Sequence, residues 1–424
     1  MKKLISVALA AAMTAAMAAP AMADGVDLTF FNSKMEIDDA LKEEAAAYSE
    51  EFGVNMTDDY SSDTIAAHMA TVYASGNPYV LSMVDAKDIY SMAPDHGLDL
   101  SGEDWVDKTT QAISIDGKVY GFPFCVEARG LIYNKTAIED ITGEEFKPED
   151  YATREAFQGL IDKLKEGGME TPTGVMNEDW SLAGHYLPEV YETRDDVQGF
   201  VDQLYAGTAD LANDERFNDL MDTFDILKAN NYAKDEALTA AREDTEMMLA
   251  DGDIAFMFGG NWDWSVMNEY DPEGEYGMMP VPQENDTYNK MMVGGGSKYI
   301  FIDNTVSEEQ QQAGKDFLNW LVNDEEGQDF LVNKCALVPA FTNNTLEVAD
   351  PLGQSVKAYA DANALVGNYN YLPDDHYSKC GAFFQKYLAD EIDRAELAAD
   401  VENYWKNTTP VTSSAEAATE GATE

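Results

Sequence analysis

Two tryptophans preceded by glycines are the residues best suited to bind a small molecule. Trp262 and Trp264 follow Gly259-Gly260-Asn261 after a short apolar segment. A flat indole covers the apolar face of a pyranose ring, and burying that face contributes about 1.5–2 kcal/mol. On an extended chain, positions i and i+2 lie on one face. For both tryptophans, this pattern suits stacking on a sugar and a place in the core equally well.

Two carboxylates stand where strands are expected to end. Asp85 follows the apolar run 78–84, which is typical of a strand buried on both faces, and the carboxyl ends of parallel strands face the binding crevice. Glu127 follows another buried-looking strand. A carboxylate accepts two hydrogen bonds from neighbouring hydroxyls. Both residues are therefore candidate ligand contacts; the alternatives are a helix N-cap for Asp85 and an ion pair with Arg129 for Glu127.

Motifs of common enzymes and metal sites are missing from the sequence. It has no HExxH motif, no CxxC pair, no EF-hand spacing and no serine nucleophile elbow. A glycoside hydrolase needs two carboxylates roughly 5–10 Å apart, and Glu127, Glu178 and Asp85 are candidates for such a pair. Because acids are so frequent in this chain, that coincidence carries little weight. We expect no catalysis, no cofactor and no metal site.

The charge and the amino terminus indicate where the protein works. Lys and Arg number 27 against 80 Asp and Glu, a formal net charge of −53, which argues against binding nucleic acid or anionic membranes and suits neutral or cationic ligands. Residues 1–23 have the pattern of a secretory signal peptide: two lysines, an apolar run and Ala21-Met22-Ala23. We expect an extracytoplasmic protein, in the periplasm or at the cell surface, with no lipid-anchor cysteine.

Three widely spaced cysteines give no disulfide framework. They are Cys125, Cys335 and Cys380. A single bridge between Cys335 and Cys380 stays an open alternative.

The order of the predicted elements gives the fold class. A strand over 27–31, a helix over 37–52, a strand over 54–56 and the buried run 78–84 imply an α/β domain with a mainly parallel sheet. Further along, the sequence predicts a tight turn at Asp116-Gly117, a helix over 148–166, a buried strand over 253–258 and a capping box at Ser307 and Gln310. Residues 410–424 have nothing to bury and are predicted to be disordered.

Four segments resemble the extracellular solute-binding proteins that serve ABC importers, in particular the maltodextrin-binding family. Pro123 to Lys135 matches a proline-containing strand followed by V-E-A and L-I-Y-N-K, and Ile254 to Trp264 matches an apolar strand, small residues and paired tryptophans. The four segments keep the family's order; they are 116–135, 248–264, 276–303 and 315–339.

The resemblance implies a two-lobed α/β periplasmic-binding-protein fold with the ligand cleft between the lobes. It assigns 24–126 and 283–325 to the amino-terminal lobe, and 127–282 and 326–409 to the carboxyl-terminal lobe. Crossings between the lobes are expected near 124–129, 280–282 and 323–329. Pro280 and Pro282 cannot donate to a sheet, so a strand should end there.

The resemblance also implies ligand contacts for matching residues. They are Trp262, Glu127, Asp85, Trp180, Glu178, Lys34, Trp264, Phe384 and Arg129. The Ala-Phe-Phe run around Phe384 is more often part of a core, and Lys34 has the alternative of an ordinary solvated lysine. Departures from the family's pattern change which hydroxyls are satisfied, and an unmatched buried polar group costs about 1–3 kcal/mol; these departures are Ser33, Ser82, Arg129 and Leu388.

By this resemblance, the chain would be a monomeric protein that captures a maltodextrin-like oligosaccharide by hinge closure and presents it to the permease of an ABC importer. A polyamine or other cation held by acids and aromatics on the same fold is the main alternative. A glycoside hydrolase is the other.

Overall fold

The computed structural model describes residues 25–410 apart from 62, 271 and 374. The predicted signal peptide therefore lies outside the described residues, as does the predicted tail beyond residue 410. The described strands are β1 (Asp27–Asn32), β2 (Asn55–Tyr60), β3 (Leu81–Asp85), β4 (Ile113–Ile115), β5 (Lys118–Pro123), β6 (Val126–Asn134), β7 (Thr173–Gly174), β8 (Phe256–Gly260), β9 (Tyr276–Met279), β10 (Met292–Gly296), β11 (Lys298–Ile302) and β12 (Leu365–Val366).

The α-helices of the described residues surround these strands. They are α1 (Asp38–Phe52), α2 (Ile65–Ser75), α3 (Ala86–His96), α4 (Lys135–Thr142), α5 (Arg154–Glu166), α6 (Glu189–Glu192), α7 (Val197–Ala206), α8 (Glu215–Ala229), α9 (Arg242–Asp251), α10 (Trp264–Met267), α11 (Glu308–Asn323), α12 (Glu325–Asp329), α13 (Pro351–Asp361), α14 (His376–Leu388) and α15 (Arg394–Asn407). Trp180–Tyr186 and Phe330–Lys334 form wider π-helical turns. No described helix has both the length and the apolar character needed to cross a membrane.

The first sheet belongs to the amino-terminal lobe and has the order β2-β1-β3-β11-β5-β4. Its first half is parallel, since β1 pairs in parallel with both β2 and β3. Its second half is antiparallel, through β3-β11, β11-β5 and β5-β4. The expectation of a mainly parallel sheet is therefore wrong for this half. A returning strand from the far end of the chain and a local hairpin complete the sheet, and neither follows a crossover helix.

The second sheet has the order β12-β10-β6-β8-β7, with β9 also paired to β6. The chain enters it after Phe124-Cys125 and leaves it at Ser297, because β10 pairs with β6 while β11 pairs with β3 and β5. This corrects the predicted division, which placed 283–325 wholly in the first lobe with a crossing near 280–282. The strand before those prolines does end, at Met279, but the chain stays in the second lobe until Ser297.

The segment after α11 also departs from the predicted division. Lys334 forms an ion pair with Glu44 of α1 at 2.6 Å, and Leu331 and Val332 share one apolar cluster with Leu28 of β1. This segment, predicted to belong to the second lobe, therefore packs on the first. The chain returns to the second lobe at α13, which contacts β9.

Local signals in the sequence account for several element boundaries. Asp116 and Gly117 both have positive φ, 52° and 77°, as the two-residue turn between β4 and β5 requires. Ser307 and Gln310 form the predicted capping box at the start of α11. These positions are confirmed because turn and cap geometry depends on a few consecutive residues.

The cysteines lie in different parts of the interior. Cys125, Cys335 and Cys380 are all buried and free. Cys335 lies in the cluster that contains the first sheet, whereas Cys380 lies in the cluster of the second lobe. The bridge left open by the sequence is not formed.

Candidate ligand-binding cleft

A cleft of about 910 Å³ lies between the two lobes, a volume typical of small-molecule sites. The first lobe contributes mostly charged side chains to it. The second lobe contributes most of the aromatic ones. The charged residues of its lining are Lys34, Glu36, Asp85, Lys87, Glu127, Arg129, Glu192 and Lys298, and the aromatic residues are Tyr60, Trp180, His185, Trp262, Tyr369, His376 and Tyr377.

An ion pair between Lys34 and Glu127 joins the two lobes at the cleft. Lys34 follows β1 and Glu127 begins β6, and their Nζ and Oε1 atoms are 2.6 Å apart. Burial alone would lower the pKa of Lys34, but Glu127 and nearby acids outweigh it and raise that pKa well above its ordinary value. Burial likewise opposes ionisation of Glu127, yet Lys34 holds the pKa of its carboxyl below the usual value. Both groups are therefore charged at neutral pH.

A second pair, between Asp85 and Lys298, lies where β3 and β11 run side by side. The register places these two residues directly opposite each other, and Lys298 Nζ donates to Asp85 Oδ1 at 2.6 Å. Burial alone would lower the pKa of Lys298, but Asp85 outweighs it and raises that pKa. Asp85 also forms a capping box with Asp88 at the start of α3. Asp85 is thus a helix N-cap, one of the alternatives drawn from the sequence, and it also lines the cleft. Its contact with a ligand stays a prediction.

Arg129 ties together three segments of the second lobe instead of pairing with Glu127. Its Nε donates to the backbone carbonyl of His185 at 3.0 Å, and its Nη1 donates to Asn368 Oδ1 at 2.8 Å. Its Nη2 pairs with Glu192, whose other oxygen accepts from the backbone N–H of Tyr369. Arg129 lines the cleft but is only 7% exposed, and these bonds fix the wall behind the ligand space.

Every acid in the lining has a cationic partner. Lys34 forms ion pairs with both Glu127 and Glu36, and its distance to Glu36 is 2.5 Å. Lys298 pairs with Asp85, and Arg129 pairs with Glu192. The lining holds four Lys or Arg and four acids, whereas the whole chain has three acids for each Lys or Arg. The cleft is therefore close to neutral within a strongly acidic protein.

Trp262 reaches the cleft because of a tight turn after β8. Asn261–Asp263 form a 3-10 turn, and the indole packs on the backbone of Gly260. A Cβ at Gly260 would lie 2.2 Å from the indole ring, so only glycine fits beneath it. Gly260 therefore makes room for the tryptophan.

Trp180 forms the other part of the aromatic wall, on the π-helical turn Trp180–Tyr186. His185 lies between the two indoles, with its ring centroid 5.2 Å from that of Trp180 and 4.9 Å from that of Trp262. Burial, with Arg129 and Arg242 nearby, lowers the pKa of His185 well below its ordinary value. The imidazole is therefore neutral at neutral pH, and the wall is an uncharged surface suited to the apolar face of a ring.

Three predicted contacts do not line the cleft. Trp264 opens α10 and packs toward Tyr276, with centroids 5.6 Å apart, because the turn at Asn261–Asp263 breaks the extended geometry assumed for the pair. Phe384 is fully buried in the core of the second lobe. Glu178 lies behind the wall, where its carboxylate accepts from Arg242 at 3.1 Å.

Several lining residues were missed by sequence reasoning. Lys298 lies in a segment that had been singled out, but its partner Asp85 is 213 residues away. The stretch Asn368–Asn370, rich in amides and aromatics between two elements, carried a usable signal. His185 and Glu192 carried none, since a lone histidine or glutamate on a helix is common. Among the described residues, no group of three or more His, Cys, Asp or Glu side chains is arranged to hold a metal ion.

Comparison with known proteins agrees with this geometry. The family described as bacterial extracellular solute-binding protein matches residues 45–363. This chain belongs to that family. Membership implies an extracytoplasmic location and a binding protein. A search of curated proteins finds no match.

Solved structures of other sugar-binding proteins share the two-lobed fold. The apo form of RafE from Streptococcus pneumoniae is 17% identical with a TM-score of 0.73, over 90% of this chain and 97% of RafE. RafE is also solved in complex with raffinose. A sugar transporter from Bacillus licheniformis, in complex with stachyose, is 18% identical with a TM-score of 0.68, over 90% of this chain and 99% of that one. At such identities the likeness concerns the fold.

Proposed function

We propose that this solute-binding protein captures a neutral oligosaccharide in its cleft and delivers it to the permease of an ABC importer. The carrying observation is a cleft in which each acid is paired with a cation beside a wall of two indoles. Paired ions offer hydrogen bonds to hydroxyls without demanding a charged ligand. Indoles supply apolar area for sugar rings.

The paired ions argue against the polyamine alternative. A polyamine would have to compete with Lys34 for Glu127 and with Lys298 for Asp85, and both ammonium groups already lie 2.6 Å from their carboxylates. A maltodextrin stays one candidate among sugars. Because similar structures contain raffinose and stachyose, these two sugars are also candidates to be tested.

A thermal-shift screen tests the proposal, with maltotetraose, raffinose, stachyose and spermidine as separate additions. We expect at least one sugar to raise the melting temperature, because a ligand that binds only the folded state stabilises it. Chromatography of the recovered sugar should show it intact. Stabilisation by spermidine alone, or a shortened sugar, would overturn the proposal in favour of cation capture or hydrolysis.

Secretion through the signal peptide, a monomeric state and closure around the ligand complete the proposal. A ligand that touches both lobes stabilises the closed form, which a permease then recognises. Small-angle scattering with and without the sugar identified in the screen should show a more compact particle when sugar is bound. Light scattering of the same sample gives the oligomeric state.

A further inference from the structure

One arginine behind the aromatic wall contacts the supports of both indoles. Arg242 is the first residue of α9, and its side chain is only 14% exposed. Arg242 does not line the cleft, so it is not a ligand contact.

Toward Trp180, Arg242 acts by stacking. Its guanidinium carbon lies 4.2 Å from the centre of the indole ring, within the range of a cation–π interaction. Its Nε donates to Glu178 Oε2 at 3.1 Å, two residues before the tryptophan. The guanidinium therefore fixes both the ring and the backbone that carries it.

Toward Trp262, Arg242 acts through Asp263. Its Nη1 pairs with Asp263 Oδ1, while Asp263 Oδ2 accepts from the backbone N–H of Gly260 at 2.9 Å. Asp263 is 1% exposed. This carboxylate closes the turn on which the second indole packs, so the guanidinium and the turn share one rigid contact.

We infer that Arg242 is a positioning residue of the cleft, which holds Trp180 and the turn of Trp262 in fixed relation to each other. The planar guanidinium is suited to this because it stacks with its face while its edge donates to carboxylates. A lysine keeps the charge but has no such plane. The inference rests on the proposed function for its effect on sugar affinity, but not for its effect on the indoles themselves.

Acrylamide quenching of tryptophan fluorescence tests the position of the indoles without any ligand. Trp105, Trp320 and Trp405 are buried. Quenching therefore reports mainly on Trp180, Trp262 and Trp264. We expect Arg242→Met to increase quenching and Arg242→Lys to restore it only in part. Arg394→Met is the matched control, since Arg394 also pairs with two carboxylates, Asp222 and Asp225, but contacts neither indole. Unchanged quenching in Arg242→Met, or full restoration by lysine, would overturn the inference.

Calorimetry with the sugar that stabilises the wild type gives the second readout. Arg242→Met should weaken binding about tenfold, and in a Trp180→Ala background the same change should weaken it less than about threefold, because residues that act through one another are not additive. Equal losses in both backgrounds would contradict positioning.

Asp263→Asn gives a further variant should Arg242→Met not fold. The amide keeps the acceptor for Gly260 but loses the charge that pairs with Arg242, and quenching should increase. Unchanged quenching in that variant would count against the inference. If no sugar binds the wild type, the proposed function fails while the quenching result still decides the inference.

Discussion

The two walls of the cleft are built on different principles. The first lobe presents charges held by strand ends and pairs of neighbouring strands, as with Asp85 and Lys298. The second lobe presents indoles held by a π-helical turn and a tight turn, with their supporting ions behind them. Ion pairs give directional hydrogen bonds, whereas indoles give area with little dependence on orientation. The charged wall is therefore suited to recognise hydroxyls, and the aromatic wall is suited to hold the sugar ring.

The largest effect is expected from breaking the charged wall at Lys34. Lys34→Met leaves the nearly buried Glu127 without its cation, and removing one member of a buried pair costs about 3–5 kcal/mol of unfolding free energy. Urea unfolding measures this. Adding Glu127→Gln should recover most of the loss. Lys42→Met is the control, because Lys42 pairs with Asp38 on the surface and its side chain is 53% exposed. An equal loss of stability in Lys42→Met would contradict the importance of the buried pair.

The aromatic wall is tested by Trp262→Ala with Trp264→Ala as the matched control. Loss of the stacked indole should weaken sugar binding at least about tenfold, since burying that face contributes about 1.5–2 kcal/mol. Trp264 packs toward Tyr276 outside the cleft lining, so its removal should affect stability more than affinity. Calorimetry on folded samples separates the two. Equal affinity losses would mean that the structure has not distinguished the two indoles.

A buried acid in the second lobe lacks a hydrogen-bond partner at one of its two carboxylate oxygens. Glu189 lies behind the aromatic wall, 3% exposed, and its Oε1 has no hydrogen-bond partner among the described residues. Burial, reinforced by Glu192 and opposed by Arg129, raises its pKa to about 8. Because the folded state then holds a proton that the unfolded state has lost, stability falls as pH rises from about 4.5 to about 8, by roughly 1.4 kcal/mol per pH unit from this group.

Glu189→Gln should remove that slope. Urea unfolding should be measured at mildly acidic and at mildly alkaline pH. As the pH rises, the free energy of unfolding of the variant should increase relative to that of the wild type. The exposed Glu347→Gln is the control and should leave the slope unchanged. A parallel pH dependence in wild type and Glu189→Gln would show that Glu189 ionises as it does in the unfolded chain.

The smallest effect concerns salt. Because the ions of the charged wall are already paired and the ligand is neutral, affinity should change less than about twofold between dilute buffer and about 0.5 M salt. A steep loss of affinity in calorimetry would mean that a charged ligand interacts with those acids directly.

Prediction from sequence succeeded where short-range rules apply. The turn at Asp116-Gly117, the capping box at Ser307 and the strand end before Pro280 depend on a few adjacent residues. It failed for Trp264, because an extended chain was assumed where a 3-10 turn forms. It also failed for Phe384, because matching a position in a pattern does not reveal how a helix is rotated into the core.

The sequence by itself determined the two-lobed α/β class, the family and six of the residues that line the cleft, since strand ends, glycines and aromatics keep a recognisable order along the chain. Only the tertiary structure decided which cation neutralises which acid. Lys34 and Glu127 are 93 residues apart, and Asp85 and Lys298 are 213 apart. Such pairs form when separate segments of the chain come together in the fold. The order of residues along the chain does not give the distance in space between the two side chains. The neutral cleft in an acidic chain is therefore a property of the fold.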